Sequence, residues 1–310
     1  MRTALFWTLA VVITLASGLY QRRTGPTYPL AGTAELAGQT IAYSLPRSHG
    51  GDGDQEIRIP TGSVPVPVTG TMAWKRHKTN DTWVVVEMVA DNGALVANLP
   101  HQPPAGKLDY RVTLRSGDAN VHLPAEGGVV IRFRGDVPAA VLVTHIVVMF
   151  LSMLFSVRAG LEVWGTGKNL KPMMYVTLIL MGIGGLVLGP IVQKYAFDAY
   201  WTGWPFGHDM TDNKTLVAFL AWGVAVVMLH RGARAGRWAL GASVVTLIVF
   251  LIPHSVLGSE LNYEEMDKAA KPAGAAMVLP DDHRLAVDRI SVAQAPPSPG
   301  ARAYTASPTV

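Results

Sequence analysis

Five long apolar runs constrain this chain more than any other feature. The first, Ala4 to Tyr20, is preceded only by Met1, Arg2 and Thr3. Four more fill the second half: Pro138 to Val157, Met173 to Val192, Leu216 to Leu229 and Trp238 to Ile252. A helix rises 1.5 Å per residue, so about 20 apolar residues cross a hydrocarbon layer of ~30 Å. The runs from Pro138 and Met173 meet that length. The last two are shorter, and read as spans because they form a pair around a tight basic turn. Composition agrees, because charged residues make up 15% of the chain where soluble domains carry about 25%. Mean hydropathy is positive, at +0.26. A wholly soluble enzyme is therefore disfavoured, and so is general disorder.

Loop charge orients the runs. Arg158, Lys168 and Lys171 flank one connection, and Arg231, Arg234 and Arg237 crowd another. The positive-inside rule puts both in the cytoplasm. The insert after the first run, the loop before Lys214 and the C-terminal tail then face the periplasm of a bacterial inner membrane. Arg22 and Arg23 oppose this orientation, but two basic loops outweigh them. The net charge of +4 thus reflects topology rather than nucleic-acid binding.

The first run lacks a convincing small-residue cleavage site before Gln21, so residues 1–20 are expected to remain as a signal anchor. Residues 28–136 read as a β domain. Alternation is clear in Thr40–Leu45, Trp83–Met88 and Leu108–Leu114, with Gly, Pro and Asn-Gly punctuation between them. About seven or eight strands of this kind resemble an immunoglobulin-like or fibronectin-like β-sandwich. The segment Pro103–Tyr110 resembles the turn into a tyrosine-corner strand. That resemblance implies that Tyr110 bonds back to the turn and that Trp74 fills the core. Residues 137–263 are then a four-helix transmembrane bundle, and 264–310 an extended periplasmic tail rich in Ala and Pro.

Chemistry-bearing residues are few. The absence of cysteine removes thiol nucleophiles, iron–sulfur clusters and thiolate zinc sites. Topology gathers His145, His208 and His254 near the outer face, where imidazoles could hold a metal ion or haem, with Asp209 behind them. Hydrogen bonding of each histidine to a nearby carbonyl is the commoner arrangement. The stretch Tyr195–Asn213 holds six aromatics. They suit first an interfacial belt, and the alternative is a partner-docking surface formed by Tyr200, Trp201, Trp204 and Phe206. Asp209 and Asp212 fall where a helix N-terminus favours acids. Asp52, Asp54 and Glu56 alternate in a glycine-rich turn, without the full ligand set of a calcium loop. Gly185 and Gly189 have the spacing of close helix packing. No span carries a charge near its centre, which disfavours a transporter.

The function expected from these features is a non-enzymatic accessory or scaffold subunit of a bacterial membrane complex, energy-transducing in a respiratory or photosynthetic sense. Its partners would be lipid and other membrane subunits, with no nucleic acid. The alternative is a metal- or haem-binding redox protein using the outer histidines. An enzyme with His208 and Asp209 as base and orienter lacks an activated nucleophile and ranks last.

Overall fold

A computed structural model describes residues 2–62, 67–254, 256, 258 and 260–270. Helix α1 (Arg2–Thr24) opens the chain and ends at Gly25-Pro26. Eleven strands follow: β1 (Leu30–Leu36), β2 (Gln39–Leu45), β3 (Ser48–Gly50), β4 (Gln55–Pro60), β5 (Thr69–Arg76), β6 (Val84–Glu87), β7 (Val89–Asp91), β8 (Ala94–Leu99), β9 (Lys107–Ser116), β10 (Ala119–Leu123) and β11 (Val129–Arg134). They pair as a two-stranded sheet β1-β2, a three-stranded sheet β4-β8-β7, and a six-stranded sheet ordered β3-β11-β9-β5-β6 with β10 on β9. All pairings are antiparallel except β3 with β11.

Turn chemistry sets the registers. The β1–β2 link places Ala37 and Gly38 at φ 51° and 76°, and the β7–β8 link places Asn92 and Gly93 at φ 45° and 76°. Two consecutive positive φ values match the right-handed twist of the flanking strands. The three sheets share one apolar core. Leu36, Ile41 and Leu45 come from the hairpin, Ile57, Ile59, Leu95 and Leu99 from the three-stranded sheet, and Met72, Leu108, Val112, Leu114, Ile131 and Phe133 from the largest.

Tyr110 corrects one expectation. It is fully buried, and its hydroxyl donates to the Pro46 carbonyl at 2.8 Å rather than to its own turn. Leu108, Tyr110, Val112 and Leu114 all lie on the buried face of β9, so the ring reaches across the core to the β2–β3 link. The turn closes without it, through Gly106 N–H on Pro103 O at 2.8 Å. Trp74 packs against the core but is only partly buried.

The second half is helical: α2 (Ala139–Leu161), α3 (Leu170–Met181), α4 (Gly189–Phe197), α5 (Met210–His230), α6 (Ala235–Leu251) and α7 (Tyr263–Ala270). Between α3 and α4, residues Gly182–Leu188 form π-helical turns that keep Leu170–Phe197 continuous. Pro190 follows at once, without an N–H to donate. Among the described residues, four helices are long and apolar enough to cross a membrane: Arg2–Thr24, Ala139–Trp164, Leu170–Phe197 and Met210–His230. Helix α6, with 17 residues, is shorter. Exposed side chains such as Leu15, Val143, Ile179, Leu220 and Ile248 give the helices apolar outer surfaces suited to lipid. The chain is thus a membrane protein with a β domain.

Helix α1 is packed into this array. Its buried face is Ala10, Thr14 and Ser17, and a Cβ on Gly18 would stand 2.7 Å from the Phe150 ring of α2. Trp7 meets Phe155 edge-on at 5.6 Å. Beyond the expected limit of residue 20, Gln21 donates to the Phe250 and Ile252 carbonyls at 2.9 and 3.1 Å. Those carbonyls lie at the C-terminal end of α6, where no further helical turn is left to bond them. Near the opposite end of α2, Arg158 and Glu162 form an ion pair at 2.7 Å with both side chains buried.

Of the expected tail, residues 271–310 lie outside the described residues. The segment before them is a strap across the β domain. Glu260 pairs with Lys107 at 2.8 Å and with Lys78, while Arg76 bonds Asp267 through two contacts at 2.8 and 2.9 Å. Tyr263 is buried, and its hydroxyl lies 3.0 Å from the Lys107 N–H.

Candidate functional site

The β domain meets the helices where β11 approaches the end of α4. Gly135 N–H donates to Ala196 O at 2.9 Å, and the Arg132 guanidinium stacks on Phe197 at 3.7 Å. Burial lowers the Arg132 pKa to about 10, against the opposing charges of Asp209 and Glu260, so the side chain stays cationic at neutral pH. Beneath this contact lies a cavity of ≈ 140 Å³. Its wall includes Arg132, His145, Met149, Gln193, Asp209, Asp212 and His254. A second cavity, of ≈ 270 Å³, lies between α1, α2 and α6 and shares His145, Val192 and His254 with the first.

The π-helical stretch shapes this place. Gly184 and Gly185 let α2 and α5 approach: an added Cβ would stand 2.7 Å from Met149 Sδ at Gly184, and 2.5 Å from Thr215 Cγ2 at Gly185. The glycine pattern therefore serves contacts between these helices. Gly189 donates its N–H to Gly184 O across the widened turn. The same carbonyl lies 3.0 Å from His145 Nδ1. A carbonyl only accepts, so His145 carries its proton on Nδ1 and leaves Nε2 as the acceptor. His254 follows α6 and reaches the surface as a residue. Desolvation of its ring, then the Lys214 ammonium, hold its pKa below the ordinary imidazole value.

The aromatic loop is built on the start of α5. Asp209 caps the helix, accepting from Thr211 N–H at 2.7 Å. The buried Asp212 carboxylate accepts from the N–H groups of Thr202 and Gly203 at 2.7 and 2.9 Å. Asn213 accepts from Trp204 N–H at 2.6 Å. Both acids thus have structural partners in the loop and the cap. Gly203 fits because a Cβ there would stand 2.5 Å from Asp212 Cβ. The loop so closed displays Tyr200, Trp204 and Phe206 at 61%, 68% and 82% exposure. Trp201 is half-buried, its indole N–H donating to Trp204 O at 3.1 Å.

Of the three expected ligands, His145 and His254 share the cavity wall with Asp209, and His208 is not on it. Among the described residues, no three His, Cys, Asp or Glu side chains form a group able to hold a metal. The acidic turn is engaged internally, since Asp54 accepts from His101 N–H at 2.8 Å and Glu56 pairs with Arg58 at 2.8 Å. Sequence reasoning missed Arg132 and Met149. For Met149 a signal existed: it follows His145 by four residues, one turn along the same helix face. The Lys214 ammonium, from the first turns of α5, crosses to the Ile252 carbonyl at 2.6 Å. In comparisons with known proteins, no family model, curated protein or solved structure matches this chain.

Proposed function

We propose that the chain is a non-enzymatic accessory subunit of a bacterial inner-membrane complex of the energy-transducing kind. In this reading the β domain is a periplasmic sandwich above a transmembrane bundle. Lys168, Lys171, Arg231, Arg234 and Arg237 mark the cytoplasmic side. The energy-transducing assignment rests on layout alone, a charge-poor set of helices beneath an outer domain.

One observation carries the binding role: the aromatic loop is held rigid from within while its large rings face outward. Asp212 and Asn213 take the N–H groups of three consecutive residues, Thr202, Gly203 and Trp204. A loop already ordered loses little conformational freedom when a partner covers it. Exposed Trp and Tyr on such a loop are the side chains that dominate binding at interface centres.

Native purification in mild detergent tests this. The wild-type chain is expected to bring other membrane subunits with it. Trp204→Ala with Phe206→Ala should weaken that association at least about tenfold, with the unfolding temperature unchanged. Recovery of wild-type chain as a free monomer, or undiminished association in the variant, would overturn the reading.

A further inference from the structure

We infer that His145, Met149 and His254 form a binding site for a soft monovalent metal ion, copper(I), in the cavity beneath the β domain. All three line the same ≈ 140 Å³ space. His145 and Met149 are one turn apart on α2 and rest on one short piece of backbone. The Gly184 carbonyl faces His145 Nδ1 at 3.0 Å, and the Gly184 Cβ position lies 2.7 Å from Met149 Sδ. The bond to Gly184 orients the imidazole and leaves Nε2 to ligate; a metal-bound histidine usually donates its other ring N–H to a carbonyl or carboxylate in this way. His254 reaches the same cavity from the end of α6, with its outer side open to solution.

Ligand type selects the ion. A thioether with two neutral imidazoles is a soft set that suits copper(I) and not magnesium, calcium or manganese. An imidazole ligates a metal only in its neutral form, so copper(I) would add one positive charge to a wall that already holds the Arg132 guanidinium. A divalent ion would add two beside that guanidinium, which makes it the less favoured occupant. Asp209 and Asp212 on the cavity wall supply negative potential, and their oxygens also accept hydrogen bonds from the α5 cap and the aromatic loop. This site differs from the histidine triplet expected from topology: Met149 takes the place of His208. It is also independent of the partner-binding role, since no aromatic loop residue contributes a ligand.

The test uses the full chain in detergent, anaerobic copper(I) and a chromophoric copper(I) chelator as competitor. One copper per chain is expected, with sulfur in the first coordination sphere by X-ray absorption. Met149→Leu preserves bulk and should weaken binding at least about tenfold, as should His254→Ala, while His208→Ala should bind as the wild type does. Unfolding temperatures of the variants report whether the fold is kept. The sulfur signal is read on unmodified protein, so it stands even if a variant misfolds. No copper bound by the wild type, no sulfur at the metal, or equal loss in His208→Ala would overturn the site. So would tighter binding of zinc than of copper(I).

Discussion

Gly185 shows how one missing methyl group decides the packing of three helices. A Cβ at this position would stand 2.5 Å from Thr215 Cγ2, well inside contact distance. Thr215 is itself held, its hydroxyl donating to Thr211 O at 2.8 Å. Gly185→Ala should therefore lower stability by about 1–3 kcal/mol, the usual penalty for overpacking. Thr215→Ser removes the obstructing methyl and keeps the hydroxyl, so the double variant should recover most of the loss. Thermal unfolding in detergent reads both, and an unchanged midpoint for the single variant would contradict the contact. The glycine spacing was legible in the sequence as helix packing. The π-helical turns around it were not, because the shift in hydrogen-bond register depends on how α2 and α5 press on the backbone. The same holds for Tyr110. Its burial followed from strand alternation, but its bond to Pro46 joins residues 64 apart in sequence and needs the folded core.

At the scale of elements, the long apolar runs were the most readable part of the chain, since period and length depend on local residues alone. Their ends were less so. α5 begins at Met210, six residues before the apolar run, because Asp209 caps it and Asp212 and Asn213 fold the preceding loop back. The strap was the least visible. Tyr263 and Glu260 fall at the end of the expected bundle, and nothing local marks them until Gln102, Lys107 and Lys78 are placed around them. Its ion pairs predict a pH response. Desolvation alone would raise the Glu260 pKa, but hydrogen bonds from Lys107 and Lys78 hold it down, at about 2 instead of 4.5. Asp81 is likewise lowered by its bond from Arg76. A depressed carboxylate stabilises the folded state above its unfolded pKa and loses that contribution as the pH falls toward its folded value. Hydrogen exchange at Leu261, whose N–H donates to Ala105 O, should show constant protection above pH about 5, after correction for intrinsic rate. Protection should then decline progressively toward pH about 2. Protection independent of pH across that range would show that the strap is held by Tyr263 and backbone contacts alone.

For the whole molecule, the account turns on which surfaces share a side of the membrane. The sequence argued for one arrangement from loop charge. The fold adds a physical link: β11 is bonded to the end of α4, and Arg132 sits on Phe197, so the β domain, the aromatic loop and the His145–His254 cavity lie at one end of the helices. The basic connections after α2 and α5 lie at the other helix ends. The partner-binding proposal has the first end facing the periplasm. The chain contains no cysteine, so single introduced thiols report their own side without background. Four exposed positions suffice: Asp118→Cys in the β9–β10 turn, Phe206→Cys in the aromatic loop, Lys168→Cys and Arg234→Cys in the basic connections. Labelling with a membrane-impermeant maleimide, in spheroplasts made by opening the outer membrane, is the decisive measurement. The expected result is modification of Asp118→Cys and Phe206→Cys in intact spheroplasts, and of Lys168→Cys and Arg234→Cys only after lysis. The reverse pattern, or labelling of Asp118→Cys and Phe206→Cys from opposite sides, would contradict the account.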